Sequence, residues 1–524
     1  MRLKPIQAVA LSEIAQHRGG VLPIRVGGGK TLISLLAPRV TGSVRPLLLL
    51  PAHLRDKTRE ETRLYRRHWH LPPLQRIESF QMLSRVSGAD MLTDYAPDQI
   101  FADEAHCLKN PQAACTKRTA RYMRANPETV LVVASGTITK RSVRDFTHLA
   151  AWALGRLSPC PANYDALDEW SRALDVNVPS ARRLLPGALS VLKADPFEDI
   201  RHAFRRRLTE TPGVVATQEG PLPIELTIRS HAIELAPELV SAYERLREDW
   251  ITPDDHPIAD GIAMWRHARE LASGFYTIWD PRPPSDWSDA RRDWAGECRE
   301  ILKTNRRNLD TELQVRRAVA DLGLYPHALP ALQRWQRIGP TFEPNSVPVW
   351  VSSRTLDWIA NWARSNAPAL IWTERPAVGR KLAELHGLPY YGQLGIDSES
   401  GRYVEHHDPD KDGSAVLSID ANSVGRNLQR WRANLVIDVA PNGAKWEQML
   451  GRTHRDGQKA EEVTVDVLFG CVEDVTSFWR ALEDSQYAEA MLGQAQKLAH
   501  ANLEGVESVE ETRQRFGAQW EKLC

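Results

Sequence analysis

The chain is 524 residues long, which at roughly 150 residues per domain makes three to four structural units and excludes a single small binding module. Hydrophobic residues make up 42% and charged residues 26%, the usage of an ordinary folded protein, so disorder, collagen and a bundle of membrane spans are all excluded. Lys and Arg number 67 and Asp and Glu 67, a formal net charge of zero, so any polyanionic partner has to be held by a local patch.

The first 155 residues carry short apolar runs at 21–26, 46–50, 99–102 and 129–134, each ending on a polar or glycine-rich turn, with amphipathic stretches between them. That alternation predicts buried parallel strands joined by helices, one α/β lobe over 1–155. Residues 156–345 are rich in Arg, Glu, Trp and Leu, are broken at 252–257 and by Pro281, Pro283 and Pro284, and read as a mostly helical insertion and passage. Apolar runs return at 369–373, 415–419, 434–439 and 463–468, which predicts a second α/β lobe over 346–480. The remainder, 481–524, reads as a helical tail with a polar stretch at 504–512. Six cysteines without a CxxC pair make no disulfide framework, which is the usage of a reducing, cytoplasmic compartment. The segment after Met1 has no apolar core of the secretory kind, and runs such as 47–50 fall far short of the roughly 18 residues of a span, so no membrane association is expected.

Gly27, Gly28, Gly29, Lys30 and Thr31 follow the first apolar run and precede a second one, so a glycine turn opens a helix. Glycines let backbone N–H groups approach phosphate oxygens at a helix N-terminus, Lys30 can neutralise β- and γ-phosphate charge, and the Thr31 hydroxyl can ligate magnesium. A strict phosphate loop has glycine where this chain has Ile24, and taken alone the turn also fits a flexible connection. Asp103, Glu104, Ala105 and His106 come at the end of the third run. An acid there can hold magnesium and its neighbour can accept the proton of an attacking water; the bland alternative is a solvated acidic turn. Ser135, Gly136 and Thr137 end the fourth run, and the segment 448–458 places Arg452 and Arg455 three apart, on one face if helical, where both can reach a γ-phosphate or form a surface basic turn.

Taken together, GGGKT, DEAH followed by Leu108, Lys109 and Asn110, SGT, Gly425-Arg426-Asn427-Leu428 and QMLGRTHRDGQ resemble a superfamily 2 helicase-type motor, and most of all its Snf-type DNA translocase branch in a compact prokaryotic or viral form. The resemblance covers most of the chain and implies two RecA-like lobes closing on ATP and magnesium. Within it, Gln7 would read adenine, and Gly27, Gly28, Gly29, Lys30, Thr31 and Asp103 would hold phosphate and magnesium. Glu104 would act as base, Gly425 and Gln448 would border the nucleotide, and Arg452 and Arg455 would act as arginine fingers. His106, Ser135 and Thr137, with Gln448, would couple nucleotide state to the track. Nucleic-acid contacts would come from His53, Ser79, Gln81, Thr373, Asn422 and Ser423, with Arg55, Lys57, Lys140, Arg141, Arg144 and Arg375 as further candidates. Arg205, Arg206 and Arg207 fit either phosphate binding or pairing with acids such as Glu198. Three departures stand out: Ile24, Arg426 in place of an apolar residue, and Ser352-Ser353-Arg354 where similar proteins often carry Ser-Gly-Lys. The expected activity is ATP-driven movement of a monomer on duplex DNA that remodels DNA or its protein complexes. The alternatives are a strand-separating DNA or RNA helicase and a nucleotide-gated clamp.

Overall fold

The computed structural model describes residues 2–511 and 514, except 26, 73–74, 112, 140, 162, 177, 179–186, 218–223, 305–308, 310, 398, 424 and 509. The first lobe is built on β1 (Gly20–Leu22), β2 (Pro46–Leu50), β3 (Arg76–Ser79), β4 (Gln99–Asp103) and β5 (Val130–Ala134). They form one parallel sheet in the order β1-β5-β4-β2-β3. Alternate residues of each strand serve opposite cores. Leu47, Leu49, Ile100, Ala102, Leu131 and Val133 pack on one face, and Leu48, Leu50, Phe101, Val130 and Val132 on the other. Because both faces are covered, the strands read as unbroken apolar runs rather than as alternating ones.

The chain then forms β6 (Glu225–Ala232) and leaves it for an insertion that holds β7 (Phe275–Trp279) and β8 (Ser346–Trp350), paired antiparallel. It returns as β9 (Ala369–Thr373), β10 (Tyr390–Tyr391), β11 (Ala415–Ser418), β12 (Ala433–Val436), β13 (Glu462–Phe469) and β14 (Asn502–Glu504). With β6 these make a second sheet, in the order β10-β11-β9-β12-β13-β6-β14, parallel throughout. The protein is therefore an α/β protein on two parallel sheets of five and seven strands. Among the described residues no helix is long and apolar enough to cross a membrane.

Two expectations are corrected here. The second sheet does not start after residue 346: β6, from the stretch expected to be helical passage, pairs with β13 over eight residues, Glu225 to Ala232 against Glu462 to Phe469. The segment after 480 is not a separate helical tail either, since Asn502–Glu504 adds an edge strand beside β6. The helix Val472–Leu492 spans that boundary and is shared. Val475, Phe478, Ala481 and Leu482 sit in the second lobe's core, while Tyr487, Met491 and Leu492 sit in the first lobe's. Between β6 and β9 the insertion is mainly helical, with helices Pro237–Asp249, Gly261–Ala272, Ser285–Thr304, Glu312–Ala320 and Leu329–Ile338. Its tryptophans pack: Trp287 and Trp294 are buried, and the Trp287 and Trp335 rings meet edge-on at 5.1 Å.

Candidate nucleotide site

Strand order brings the first lobe's motifs together. β1, β5 and β4 are neighbours, so the turns that follow them, carrying Lys30, Ser135 and Asp103, lie side by side at the carboxyl edge of the sheet, where parallel sheets place ligands. The glycine loop before Lys30 is built from left-handed residues: Gly27 has φ 86°, and Gly29, at φ 82°, caps the N-terminus of the helix Lys30–Thr41. The departure at position 24 has a local reason. Ile24 is fully buried, and a Cβ on Gly28 would collide with its Cγ2, so the bulk at 24 is accommodated by the missing side chain at 28. Lys30 is buried with its amine turned to the loop's own carbonyls, 3.0 Å from Ile24 O and 3.4 Å from Arg25 O. Gln7 packs under the loop, its amide donating to Gly29 O at 3.1 Å and its carbonyl accepting from the Lys4 N–H at 2.8 Å. One N–H and one lone pair of that carboxamide remain for a base edge.

Asp103 and Glu104 follow at the end of β4. Glu104 has φ 55°, a left-handed conformation that a residue other than glycine adopts at a strained and commonly functional position. Its Oε2 lies 3.3 Å from both Ser135 Oγ and His106 Nδ1, and His106 Nδ1 lies 3.1 Å from Ser135 Oγ. The Thr137 N–H donates to Ser135 Oγ at 3.1 Å, and Ser135 N–H donates to Leu22 O of β1 at 3.2 Å. The four residues expected to act as base and coupling group therefore form one buried network tied to the phosphate-loop strand. Electrostatics separates the two acids. Burial and the adjacent Glu104 charge push Asp103 up to about 6. Burial also opposes ionisation of Glu104, but Lys30, His106 and Ser135 together outweigh it, so Glu104 is held low and ionised.

The second lobe faces this constellation. The helix Gly443–Thr453 starts on Asn442, whose side chain accepts from the Ala444 N–H at 3.0 Å, and stops at His454, which leaves the helical region. Arg452 and Arg455 therefore do not share a helix face as expected: Arg452 is in the last turn and Arg455 lies in the loop beyond. They converge all the same, because Arg452 Nη1 and Arg455 Nη1 both donate to Arg426 O, at 3.0 and 3.3 Å. The Arg426 side chain is held away by Glu405 and Leu394 O, which explains how a charged residue is accommodated where an apolar one was expected. Gln448 is only half-buried; what it contributes to the arginine cluster is its backbone oxygen, 2.9 Å from Arg452 Nε.

These parts enclose one cleft of about 480 Å³ between the lobes. Gln7, Gly27, Gly29, Lys30, Thr31, Asp103, Glu104, Gly425, Arg452 and Arg455 all line it, whereas Gly28 and Gln448 do not. A Cβ placed on Gly27 would lie 3.9 Å from Arg455 Nη2, so the arginine looks directly onto the glycine loop. Six cations (Arg2, Lys4, Lys30, Lys57, Arg452 and Arg455) meet three carboxylates (Glu61, Asp103 and Glu104) around it, an imbalance that suits a polyanion such as a triphosphate with its metal. Neither a protein-family model nor a curated protein sequence matches the chain.

Residues that pattern reading missed join the site through tertiary packing. Lys57, expected as a nucleic-acid contact, lines this cleft instead and donates to Gly425 O across it. Lys4 bridges Gly27 O and Asp456 Oδ2, each at 3.4 Å. A lysine following a strand-end turn was the only signal for Lys57, and it does not say which face the side chain takes.

The expected nucleic-acid contacts are mostly engaged elsewhere. Ser79 caps the helix Phe80–Ser84 through the Met82 N–H, and Thr373 donates to Asp438 at 2.6 Å. Asn422 donates to Tyr391 O and Ser418 O, and Ser423 is buried. None of these four presents a side-chain donor to solvent in this conformation. His53 and Gln81 are exposed, although Gln81 Oε1 accepts from the Ala52 N–H at 3.0 Å. Arg141 joins the lobes through Asp484 at 2.6 Å and Pro441 O at 3.1 Å, and Arg375 pairs with Asp438 at 2.6 Å. Arg144 pairs with Asp168, and Lys140 lies outside the described residues. In the Arg205–Arg207 cluster, Arg206 pairs with Glu198 at 2.5 Å.

Proposed function

We propose that the protein is an ATP hydrolase of the superfamily 2, Snf-like type, in which two RecA-like lobes close on the nucleotide and drive movement along duplex DNA. The observation that carries the reading is the single cleft shared by the phosphate loop, the Asp103–Glu104 pair and two arginines from the opposite lobe. The residues fit the cofactors: left-handed glycines, a buried lysine and two guanidiniums without ion-pair partners among the described residues face the same space.

In this reading Gln7 meets the base edge and the phosphate loop with Lys30 orients the triphosphate. Thr31 and Asp103 would hold magnesium, which supplies charge neutralisation on the phosphates. Glu104 takes the proton of the attacking water, kept ionised for that task by Lys30 and His106. Arg452 and Arg455 leave Arg426 O to meet charge developing on the transferred phosphoryl group, so hydrolysis requires closure of the lobes. The Ser135–Thr137 turn, bonded to both Glu104 and β1, is the element through which nucleotide state reaches the rest of the first lobe.

The test is steady-state ATP hydrolysis at one fixed low salt concentration, without nucleic acid and with duplex DNA, single-stranded DNA or RNA, using Glu104→Gln as the blank. Strong stimulation by duplex supports the translocase. Preference for single strands or RNA replaces it with a strand-separating helicase, and slow turnover indifferent to every nucleic acid replaces it with a clamp.

A further inference from the structure

The helix Arg55–Tyr65 has two working faces. Lys57, Thr58, Glu61 and Tyr65 line the nucleotide cleft. At 100° per residue, Arg59, Arg63 and Arg66 point to the other side, where they border a separate groove of about 450 Å³. Its opposite wall is the edge strand β3, which contributes Arg76 and Glu78.

Four guanidiniums thus meet in a groove that holds one carboxylate. Glu78 pairs with Arg76 at 3.1 Å, and Arg59 engages the outlying Asp56 at 3.0 Å. Arg66 donates to Pro72 O at 3.3 Å, and Arg63 is exposed without an ion-pair partner among the described residues. The uncharged donors of the groove are already used, Thr62 by Thr58 O and Gln75 by Ser34 O, so the guanidiniums are what it offers a ligand. Among the described residues it has no apolar anchor of the kind that protein partners bury, since Ile77 packs into the first lobe's core.

We propose that this groove is a second nucleic-acid site, a cradle for the phosphodiester backbone on the outer face of the first lobe, distinct from any path between the lobes. It rests on the proposed function for the identity of the polyanion. From Arg59 to Arg66, the C-cap, is about seven residue steps or about 10 Å along the helix axis, over which one strand of duplex carries about three phosphates. Planar guanidiniums match phosphate oxygens two at a time, which a row of lysines would not. Since the same helix carries Lys57 on its opposite face, a phosphate backbone held here touches the element that also borders the nucleotide.

The experiment is equilibrium binding of a fluorescent 30-base-pair duplex to the full chain without nucleotide, over a series of salt concentrations. Wild type is compared with Arg59→Ala/Arg63→Ala and with a control that removes two ion-paired arginines of the insertion, Arg292→Ala/Arg334→Ala. The groove variant is expected to bind about tenfold or more weakly at 0.1 M salt and to lose about one to two units of the slope of log affinity against log salt, while the control stays within about twofold. Arg63→Glu should weaken binding further and Arg63→Lys should recover part of it, and unchanged DNA-free ATP hydrolysis in each variant reports an intact cleft. Equal slopes for groove and control variants, with wild type binding duplex, overturn this site and leave the proposed function standing. Failure of wild type to bind any nucleic acid overturns both.

Discussion

Arg452 Nη1 donates to the carbonyl of Arg426 at 3.0 Å, and no carboxylate among the described residues pairs with it, although its side chain is almost entirely buried. Burial, reinforced by the nearby Arg455 charge, pulls its pKa down to about 10, so it remains a cation at neutral pH. A buried guanidinium whose acceptors are neutral backbone carbonyls, Arg426 O and Gln448 O, is in an unfavourable setting, and an anion entering the cleft would relieve it.

The first prediction follows from that pair. Arg452→Ala/Arg455→Ala should leave nucleotide binding within about tenfold of wild type and lower turnover by about 10³-fold or more, the effect of a lost arginine finger. Nucleotide titration and steady-state hydrolysis separate the two readouts. Wild-type turnover in the double variant would remove the two-lobe site from consideration.

Ile24 and Gly28 should behave as a coupled pair. Gly28→Ala alone forces its new methyl against Ile24 Cγ2 and should weaken nucleotide binding by about 1–3 kcal/mol. Ile24→Ala removes that methyl, so Ile24→Ala/Gly28→Ala should bind better than Gly28→Ala, with a coupling energy of about 0.5–3 kcal/mol in a double-mutant cycle. Strictly additive effects would mean that the loop does not depend on this contact.

Glu104 acts with its neighbours. Glu104→Gln should bind ATP and slow hydrolysis by about 10²-fold or more, since the amide cannot accept the proton. Ser135→Ala removes one donor from the Glu104 carboxylate, which should raise its pKa, and should move the acidic limb of the pH–rate profile to higher pH. A profile superimposable on wild type would show that Ser135 does not tune the base.

Asp175 gives a stability prediction independent of any ligand. It accepts from the Val143 N–H at 3.0 Å and from the Tyr487 hydroxyl at 3.3 Å, and burial lifts its pKa to about 6 from an unfolded value near 3.8. Between those values the folded state binds more protons than the unfolded one, so stability falls as pH rises from about 4 to about 6 and stays lowered above. Two pKa units correspond to about 3 kcal/mol, and Asp175→Asn, which keeps an acceptor for Val143, should therefore be more stable than wild type by about 1–3 kcal/mol at pH 7.5. At pH 4 the difference should vanish. A gap of the same size at both pH values, measured by denaturant unfolding, would show that ionisation of Asp175 carries no penalty.

Much of this molecule is legible along the chain. The runs at 46–50 and 369–373 correspond to β2 and β9 in full, because strands buried on both faces have to be apolar at every position. The phosphate loop, the acidic pair and Ser135–Thr137 were readable for the same local reason: each is a short turn at the end of such a run. β6 was missed because Glu225–Ala232 mixes Glu, Arg, Ser and His with its apolar residues, and lies just before a long helical insertion. Its partner, β13, begins more than two hundred residues later. Polar type alone does not distinguish an exposed donor from one buried on a partner: of the nucleic-acid candidates, His53 and Gln81 are exposed, whereas Thr373 is buried on Asp438.

By itself, then, the sequence determined where buried strands and their chemistry-bearing turns lie, because hydrophobic burial and turn stereochemistry act over a few neighbouring residues. Only the tertiary structure decided which turns became adjacent, that two arginines on either side of a helix end would meet at one carbonyl, and that Lys57 would face the cleft between the lobes while Arg63 faces outward. Those relationships depend on strand order and on the packing of elements hundreds of residues apart, which no local periodicity encodes.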